Sequence, residues 1–378
     1  MPFKIENDHN VYILGAGFSA RANMPLVSNF LTRMRDSYPW LISERRKREA
    51  EAVQAVLEFR RSASSAAYWV NLDLENIEEL FSLASSKSRS LSNSIRIAIA
   101  ATLDYSRITK TQEHTLISYE GCSWAKSEKW LKAYPAQGNN HYRINEYSYH
   151  IAQLLGMCAD GKVKGRNTFI SFNYDTILEE SLSDLGLDYD YHLGISKITS
   201  VEQSKISVLK LHGSVNWARG EMSAEKNKRR RPRAFHSYSD VRDANRVPEL
   251  IAPTWRKIFG SHLSAIWDES IQALQDATRV VVIGFSIPPT DTHFKYLLAA
   301  GFQENLSLRK ITFFDPQSED LKRRAQSLFQ GHSLAQNKVI FEKITLEDLT
   351  KDNNHLSSIG RPQWIKGMKN SMQWHGLQ

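Results

Sequence analysis

Six short, mostly apolar runs of residues are the clearest pattern along the chain. They lie at residues 11–14, 168–172, 208–211, 280–283, 311–314 and 339–341 and are rich in Val, Ile, Leu and Phe. Strands that a parallel sheet buries on both faces are apolar at successive positions, whereas half-exposed strands alternate. Helical patterns lie between the later runs, as at residues 261–276. The pattern predicts an α/β fold with a Rossmann-like, doubly wound, mostly parallel six-stranded sheet.

The long stretch between the first two runs has little β character. Within it, residues 44–60, 77–84 and 147–155 have helical composition, and residues 126–140 are looser. We interpret this stretch as a mainly helical insertion that caps a ligand cleft. The predicted parts are a first βα unit of the sheet domain (1–35), the helical insertion (36–165), the remainder of the sheet domain (166–350) and a C-terminal tail (351–378).

Composition places the chain among globular proteins. It has 378 residues, of which 41% are hydrophobic and 24% charged, enough to bury a core. No run approaches the roughly 20 apolar residues that span a bilayer, and the first residues lack a signal-peptide pattern, so we expect a cytoplasmic protein without membrane contact. Cys122 and Cys158 are too few for a four-cysteine zinc site, so we expect structural thiols and no zinc.

The chain is basic, with a formal net charge of +8, and one basic segment runs from Lys226 to Arg233 within residues 225–233. We interpret this segment as a solvated surface loop. The alternative is an electrostatic contact with nucleic acid or another acidic partner, since lysine and arginine neutralise phosphates.

The first apolar run leads into a glycine-rich turn. Residues 11–20 read Val-Tyr-Ile-Leu-Gly-Ala-Gly-Phe-Ser-Ala, so Gly15 and Gly17 follow a strand and precede a predicted helix. Glycines let a backbone approach a pyrophosphate, and a helix N-terminus offsets its charge. The turn predicts a dinucleotide site. Asp36 has the spacing of the residue that binds ribose in dehydrogenases, but no strand precedes it, so an ordinary dehydrogenase is not predicted.

Polar residues follow the later runs at positions that a parallel sheet brings together. The carboxyl ends of parallel strands meet at one edge, where open α/β sheets bind ligands. Amides and carboxylates there can hold a ribose hydroxyl or a carboxamide, and an imidazole can transfer a proton near neutral pH. Helix caps, turns and core packing are the ordinary alternatives for these residue types. The residues are Asn173, Asp175, His212, Gly284, Phe285, Ser286 and Asp315, with Asp291 as a weaker candidate.

Together, these segments resemble those of the sirtuin superfamily of NAD-consuming enzymes. The resembling residues are Gly15-Ala16-Gly17-Phe18-Ser19, Pro25, Asn173-Tyr174-Asp175, His212-Gly213 and Gly284-Phe285-Ser286. The resemblance implies that NAD is a substrate. It also implies roles for the residues: a pyrophosphate and ribose pocket for Gly15, Ala16, Phe18 and Ser19, ribose or water orientation for Asn173, carboxamide binding for Asp175 and general base for His212.

The chain departs from protein-deacylating sirtuins in three places. Two cysteines cannot form their four-cysteine zinc module, Pro25 is followed by Leu-Val-Ser rather than Asp-Phe-Arg, and Leu-Ile-Ala-Pro-Thr-Trp replaces a Phe-Gly-Glu stretch that pairs with the acyl-lysine peptide. The resemblance therefore favours water as the acceptor, which makes the protein an NAD glycohydrolase releasing nicotinamide and ADP-ribose. An NAD-dependent protein-lysine deacylase and a non-catalytic scaffold that binds nucleotides or nucleic acid are the alternatives.

The combination is similar to the sirtuin-like subunits of bacterial antiphage systems, in which NAD depletion stops infection. Compact subunits of this kind assemble with a HerA-type ATPase. The resemblance thus implies an abortive-infection effector, a homo-oligomer and a HerA-type partner.

Overall fold

The computed structural model of the protein describes residues 8–85, 87–108, 116–120, 141–157, 162–193, 206–219, 232–252, 261–287, 292–316, 318–326, 328–329, 331 and 338–351. Within these ranges the strands are β1 (His9–Leu14), β2 (Leu116–Glu120), β3 (His141–Asn145), β4 (Arg166–Ser171), β5 (Ile206–Lys210), β6 (Gly213–Arg219), β7 (Pro232–Ala234), β8 (Pro248–Leu250), β9 (Arg279–Ile283), β10 (Lys310–Phe314) and β11 (Val339–Glu342).

The helices alternate with these strands in the second half of the chain and cluster before β4. They are α1 (Ala16–Ser19), α2 (Phe30–Ser43), α3 (Lys47–Ser62), α4 (Ser64–Trp69), α5 (Ile77–Ser85), α6 (Arg89–Ile108), α7 (Glu146–Leu154), α8 (Ile177–Asp184), α9 (Tyr238–Asp243), α10 (Ser261–Gln275), α11 (Thr292–Phe302), α12 (Ser318–Gln326) and α13 (Leu346–Lys351). Two 3-10 turns, Ala20–Ala22 and Val27–Asn29, connect α1 to α2.

The six predicted runs form one sheet. Its strand order is β11-β10-β9-β1-β4-β5, and every neighbouring pair is parallel. Chain order and spatial order diverge on either side of β1, as they do in a doubly wound sheet. The predicted fold class is confirmed.

The sheet is the centre of the hydrophobic core. The side chains of residues 11–14 are all at most 1% exposed, because β1 is central and helices cover both faces. The ring of Tyr12 stacks on that of Phe169 on β4, with centroids 4.9 Å apart, and its hydroxyl donates to the carbonyl of Leu154 at the end of α7. This packing fixes the last helix of the insertion against the sheet.

The described residues of the predicted insertion are mainly helical, and α2, α3 and α6 are in mutual contact. It also contains an antiparallel pair, β2 and β3, that the sequence analysis did not predict. A second small sheet, β7-β6-β8, lies after β5 and was not predicted either. Both have short strands, and β6 pairs with partners more than ten residues away, which leaves no turn signal beside it.

The division of the chain into four parts stays a prediction. None of the helices in the described ranges is both long and apolar enough to cross a membrane.

Candidate functional site

The carboxyl ends of the central strands face a cavity of about 1040 Å³. This volume is at the upper end of the range typical of small-molecule and cofactor sites. Residues from four of the predicted segments, together with Asp315 after the fifth run, share its wall: Ala16, Gly17, Phe18, Pro25, Asn173, Asp175, His212, Gly284, Phe285, Ser286 and Asp315. Two further predicted residues, Gly15 and Ser19, lie just behind the wall and hydrogen-bond to Asn173.

The glycine-rich turn is locked to the end of β9 by backbone contacts. Gly15 N–H donates to the carbonyl of Ile283 at 3.1 Å, and Gly17 N–H donates to that of Gly284 at 2.9 Å. A Cβ atom on Gly15 would lie 2.5 Å from the Gly284 carbonyl oxygen, and one on Gly284 would lie 2.2 Å from the Phe18 nitrogen. Gly284 also has a φ of +62°. The glycines are therefore required for two backbones to touch, in addition to any approach of a ligand.

The predicted helix that follows this turn is present but short. α1 has four residues and passes directly into a 3-10 turn. The N–H of Phe18 donates to Gly15, so two of the first amides of the helix, those of Gly17 and Phe18, already have partners in the protein. A cation lies nearby instead: Arg21 lines the cavity, and its guanidinium lies 3.2 Å from a Glu146 carboxylate oxygen.

Asn173 is the centre of a side-chain network on the β4 side of the cavity. Its Nδ2 group donates to the carbonyl of Gly15 at 2.9 Å and to Ser19 Oγ at 3.2 Å. Ser19 Oγ in turn donates to Asp175 Oδ1 at 3.1 Å, which also accepts from the N–H of Ile177. Both amide hydrogens of Asn173 are thus used within the protein. No group among the described residues donates to its Oδ1 atom, so this atom remains an acceptor for a ligand.

Asp175 is buried at the floor of the cavity, with 9% of its surface exposed. Burial raises the pKa of its carboxyl group, while the nearby Lys210 ammonium lowers it and the Glu179 carboxylate raises it further. The structure supports the alternative interpretation of Asp175 as a turn residue, because its Oδ1 accepts from the N–H of Ile177, two residues further along the chain. Its role in ligand binding stays a prediction. Capping occupies one carboxylate oxygen and leaves Oδ2 for a ligand.

His212 follows β5 on the same edge of the sheet. Its ring packs edge-on against Phe172, with centroids 5.3 Å apart, and lies 6.1 Å from the ring of Tyr174. The next residue, Gly213, has a φ of +78°, and a Cβ atom there would lie 2.2 Å from the Glu249 carbonyl oxygen. The chain therefore turns sharply at Gly213 and leaves the imidazole at the cavity wall.

The β9 and β10 side of the cavity is less polar. The ring of Phe285 lies 4.4 Å from that of Phe172 and forms an apolar divider between the two sides. Ser286 is exposed and Asp315 half-buried, and both line the cavity. Asp291, the weaker candidate from the sequence, lies outside the described residues.

Helices of the insertion form the opposite wall. Leu103 on α6 supplies apolar surface, as does Met24, which precedes the insertion. Asp73 and Glu75 come from the segment before α5, and Glu78 comes from α5 itself. Glu75 is paired with Arg35 at 2.8 Å and with Arg60. The insertion therefore covers the cavity, and carboxylates line part of its rim.

Three residues of the site were missed by the sequence analysis. Tyr147 on α7 donates its hydroxyl to the carbonyl of Phe18 at 2.8 Å and accepts from the N–H of Ala22, which fixes the loop from outside. Lys210 and Glu179 form an ion pair directly behind Asp175. A lysine inside an apolar strand was the available signal for that pair, since a buried charge needs a partner.

Several predictions fall outside the described part of the chain. Cys122 and Cys158 lie there, as does the basic segment from Lys226 up to residue 231 and the tail after residue 351. Among the described residues, no group of three or more His, Cys, Asp and Glu side chains could hold a metal ion. The absence of zinc stays a prediction. Asp36 is described, and it lies exposed on α2 with no strand before it.

No protein-family model matches the chain, and no curated protein matches it. The chain is similar to solved structures of Sir2 enzymes. A structure described as a Sir2 homolog–NAD complex is 11% identical with a TM-score of 0.40, over 94% of this chain and 90% of that one. A Sir2 homologue mutant with 2′-O-acetyl ADP ribose is 11% identical with a TM-score of 0.41, over 99% and 100% of the two chains.

A third structure, described as the structural basis for the mechanism and regulation of Sir2 enzymes, is 12% identical with a TM-score of 0.40, over 94% of this chain and 93% of that one. Likeness at this level does not transfer an activity. The functional conclusion therefore rests on the residues that line the cavity.

Proposed function

We propose that the protein is an NAD glycohydrolase that releases nicotinamide and ADP-ribose. The observation that carries the proposal is the shared wall of Asn173, Asp175 and His212, three side chains from two neighbouring strand ends that meet beside the glycine-rich turn. One edge of the parallel sheet thus presents a hydrogen-bond acceptor, a buried carboxyl group and an imidazole. These groups suit a nucleotide whose reacting bond lies beside them in the cavity.

The reaction breaks the bond between nicotinamide and ribose. The bonding electron pair leaves with nicotinamide, which is already cationic in NAD and becomes neutral. The anomeric carbon then bonds to a water oxygen, and a proton of that water passes to His212. In this proposal Asn173 Oδ1 accepts from the water or from a ribose hydroxyl. Asp175 Oδ2 accepts from the carboxamide, and the ring of Phe18 shields the oxocarbenium-like ribose. A placed general base contributes roughly 100- to 10,000-fold.

Water is favoured over a peptide as the acceptor because, in the described part of the chain, both sides of β6, which follows His212 directly, are already partly occupied by other strands and backbone bonds. β6 pairs with β8 on one side and with β7 on the other. Where β7 does not reach, Val215 N–H donates to the carbonyl of Tyr174 at 3.0 Å, and Asn216 exchanges two hydrogen bonds with Phe235. A peptide that added a strand here would have to displace these bonds.

We further propose that the activity serves antiphage defence by NAD depletion and that the protein acts as a homo-oligomer with a HerA-type ATPase. The support for this step is the resemblance of the motif residues, and the HerA-type partner supplies the means to test it. If the cavity is completed by assembly, turnover should rise when the partner is added.

The decisive experiment measures nicotinamide and ADP-ribose release from NAD by the full chain, alone and with the ATPase. We expect equal amounts of both products without any peptide. His212→Ala should reduce turnover by about 100-fold or more, while His236→Ala, a change at an exposed histidine outside the cavity wall, should leave it unchanged.

Two outcomes would contradict the proposal. Release that requires an acetyl-lysine peptide and yields acetylated ADP-ribose would identify a deacylase. A wild-type rate in His212→Ala, with circular dichroism and melting temperature unchanged, would remove the imidazole from the mechanism.

A further inference from the structure

A buried ion pair lies directly behind the catalytic edge. Lys210, the last residue of β5, is 1% exposed, and its Nζ lies 2.9 Å from Glu179 Oε1 on α8. The same Nζ donates to the backbone carbonyl of Asp175. Glu179 is 4% exposed and its Oε1 also accepts from the hydroxyl of Tyr191 at 3.1 Å. One ammonium group thus joins a sheet strand, a helix and the segment that carries Asn173.

Stability alone does not account for this pair. Removing two charges from water costs several kcal/mol per ion, and well-packed apolar residues of similar volume are often as stable or more stable. β5 is otherwise mostly apolar and buried, so a methionine would fit the sheet environment of position 210. What a methionine could not do is donate to the Asp175 carbonyl.

The position of Lys210 relates it to each residue proposed for the reaction. It lies two residues before His212, so the same strand end carries both the buried ammonium group and the imidazole. Through the Asp175 carbonyl it anchors the segment whose side chains bond to Ser19 and Gly15. Its ammonium group also lowers the pKa of the Asp175 carboxyl group, an effect opposite to that of the Glu179 carboxylate.

We propose that Lys210 is a positioning residue, which together with Glu179 holds segment 173–175 against the cavity and sets the charge that Asp175 presents to the ligand. The inference rests on the proposed function, since it assigns Lys210 to the same site. Other groups also face Asp175. Ser19 Oγ and the Ile177 N–H donate to it, His212 shares the main cavity, and Asp104 and Arg107 of α6 share with Asp175 a second cavity of about 270 Å³.

The charges of the pair predict opposite pH effects for two single variants. Lys210→Met removes the cation, so the pKa of Asp175 rises further and the acid limb of the kcat/KM profile for NAD cleavage moves to higher pH. Glu179→Gln removes the neighbouring anion, so the limb moves to lower pH. The double variant should fall between them. At neutral pH, Lys210→Met should lower kcat/KM by about 10- to 100-fold, as expected for a small misplacement of reacting groups.

A merely structural pair would behave differently. Both single variants would then lower kcat/KM by a similar factor at every pH, with no movement of the acid limb or with movement in the same direction. Either result would overturn the inference. If Lys210→Met does not fold, Glu179→Gln and the uncharged double variant still decide the direction of the shift.

A second measurement does not depend on NAD. Burial raises the pKa of Asp175, so its stabilising contribution is complete below the unfolded-state pKa and is lost as pH rises through the folded-state pKa. Without Lys210 that loss extends to higher pH, and the unfolding free energy of Lys210→Met should fall further below wild type as pH rises towards neutrality. Adding Asp175→Asn to Lys210→Met should reduce this pH-dependent growth of the difference in unfolding free energy.

The two readouts separate the proposals. Suppose that the wild-type protein never cleaves NAD, but the stability difference between Lys210→Met and wild type grows with pH and Asp175→Asn reduces that growth. This result would reject the glycohydrolase and keep the coupling of Lys210 to Asp175. Suppose instead that the wild-type protein cleaves NAD, but the stability difference does not grow with pH and the acid limb of the kcat/KM profile does not move in the variants. This result would keep the glycohydrolase and reject the role of Lys210.

Discussion

The β4 and β5 side of the cavity is held in place mainly by side chains, whereas the β1 and β9 side is held mainly by backbone contacts. On the first side, Asn173 bonds to Ser19 and Gly15, and Lys210 bonds to Asp175 and Glu179. On the second, backbone amides of the glycine-rich turn donate to carbonyls of residues 283 and 284, with Phe285 packed behind. Both sides line one space.

The difference separates two tasks. Side chains can be acceptors, donors or proton carriers, so the β4 and β5 side can act on a reacting bond. Backbone packed without Cβ atoms gives a close, fixed surface with little chemistry, which suits the unreactive half of a dinucleotide. Substitutions on the β4 and β5 side should therefore change kcat. Substitutions that remove a polar side chain on the β1 and β9 side should change KM.

Asn173→Ala tests this division with the largest expected effect. It removes the free Oδ1 acceptor and both bonds to the turn, so we expect kcat to fall by about 100- to 1,000-fold with KM nearly unchanged, comparable to loss of a preorganised polar group at a reacting centre. Steady-state nicotinamide release measures both constants. Asn71→Ala, at an exposed position outside the cavity wall, is the matched control. A large rise in KM with kcat intact would place Asn173 in binding instead.

Gly284→Ala tests the backbone side. The added Cβ would meet the Phe18 nitrogen at 2.2 Å in a backbone with φ of +62°, so we expect the unfolding free energy to fall by about 3 kcal/mol or more. Gly186 is a close control, because it has φ of +69° but no atom lies within 4 Å of the position that a Cβ would take. Gly186→Ala should cost only about 1–2 kcal/mol for the left-handed backbone. Equal losses in chemical denaturation would show that the close approach at Gly284 is relaxed without strain.

The sequence predicts the parallel sheet well for a physical reason. Strands buried on both faces are mostly apolar at successive positions, and each of the six mostly apolar runs forms a strand of the sheet. β2, β3 and β6 to β8 lack this pattern. Their pairing depends on which distant segment lies beside them, as in the contact of Ala218 with Pro248, and a single sequence does not specify that.

The candidate site, like the fold, was predictable only where it depends on the parallel sheet. Strand order along a parallel sheet brings Asn173, Asp175 and His212 to one edge whatever the side chains do, so their proximity followed from the pattern of runs. The contacts that hold the site in place did not follow from that pattern. Tyr147 reaches the turn from a helix of the insertion, more than a hundred residues away, and no periodicity encodes that contact. The glycine positions were predicted for ligand approach, which stays a prediction, whereas the structure shows that Gly15, Gly17 and Gly284 let two backbone segments pack closely.

Ser286→Ala is the mildest test of the comparison. Ser286 is exposed at the mouth of the cavity beside the turn, where its hydroxyl can donate to a phosphate or ribose oxygen of the bound nucleotide. Losing one such hydrogen bond costs about 0.5–1.5 kcal/mol, so KM for NAD should rise about two- to tenfold while kcat is unchanged. Ser65→Ala, an exposed change on α4, should alter neither constant. If Ser286→Ala instead lowered kcat as Asn173→Ala is expected to, the two sides of the cavity would share the chemistry, and the division between a reacting side and a binding side would be wrong.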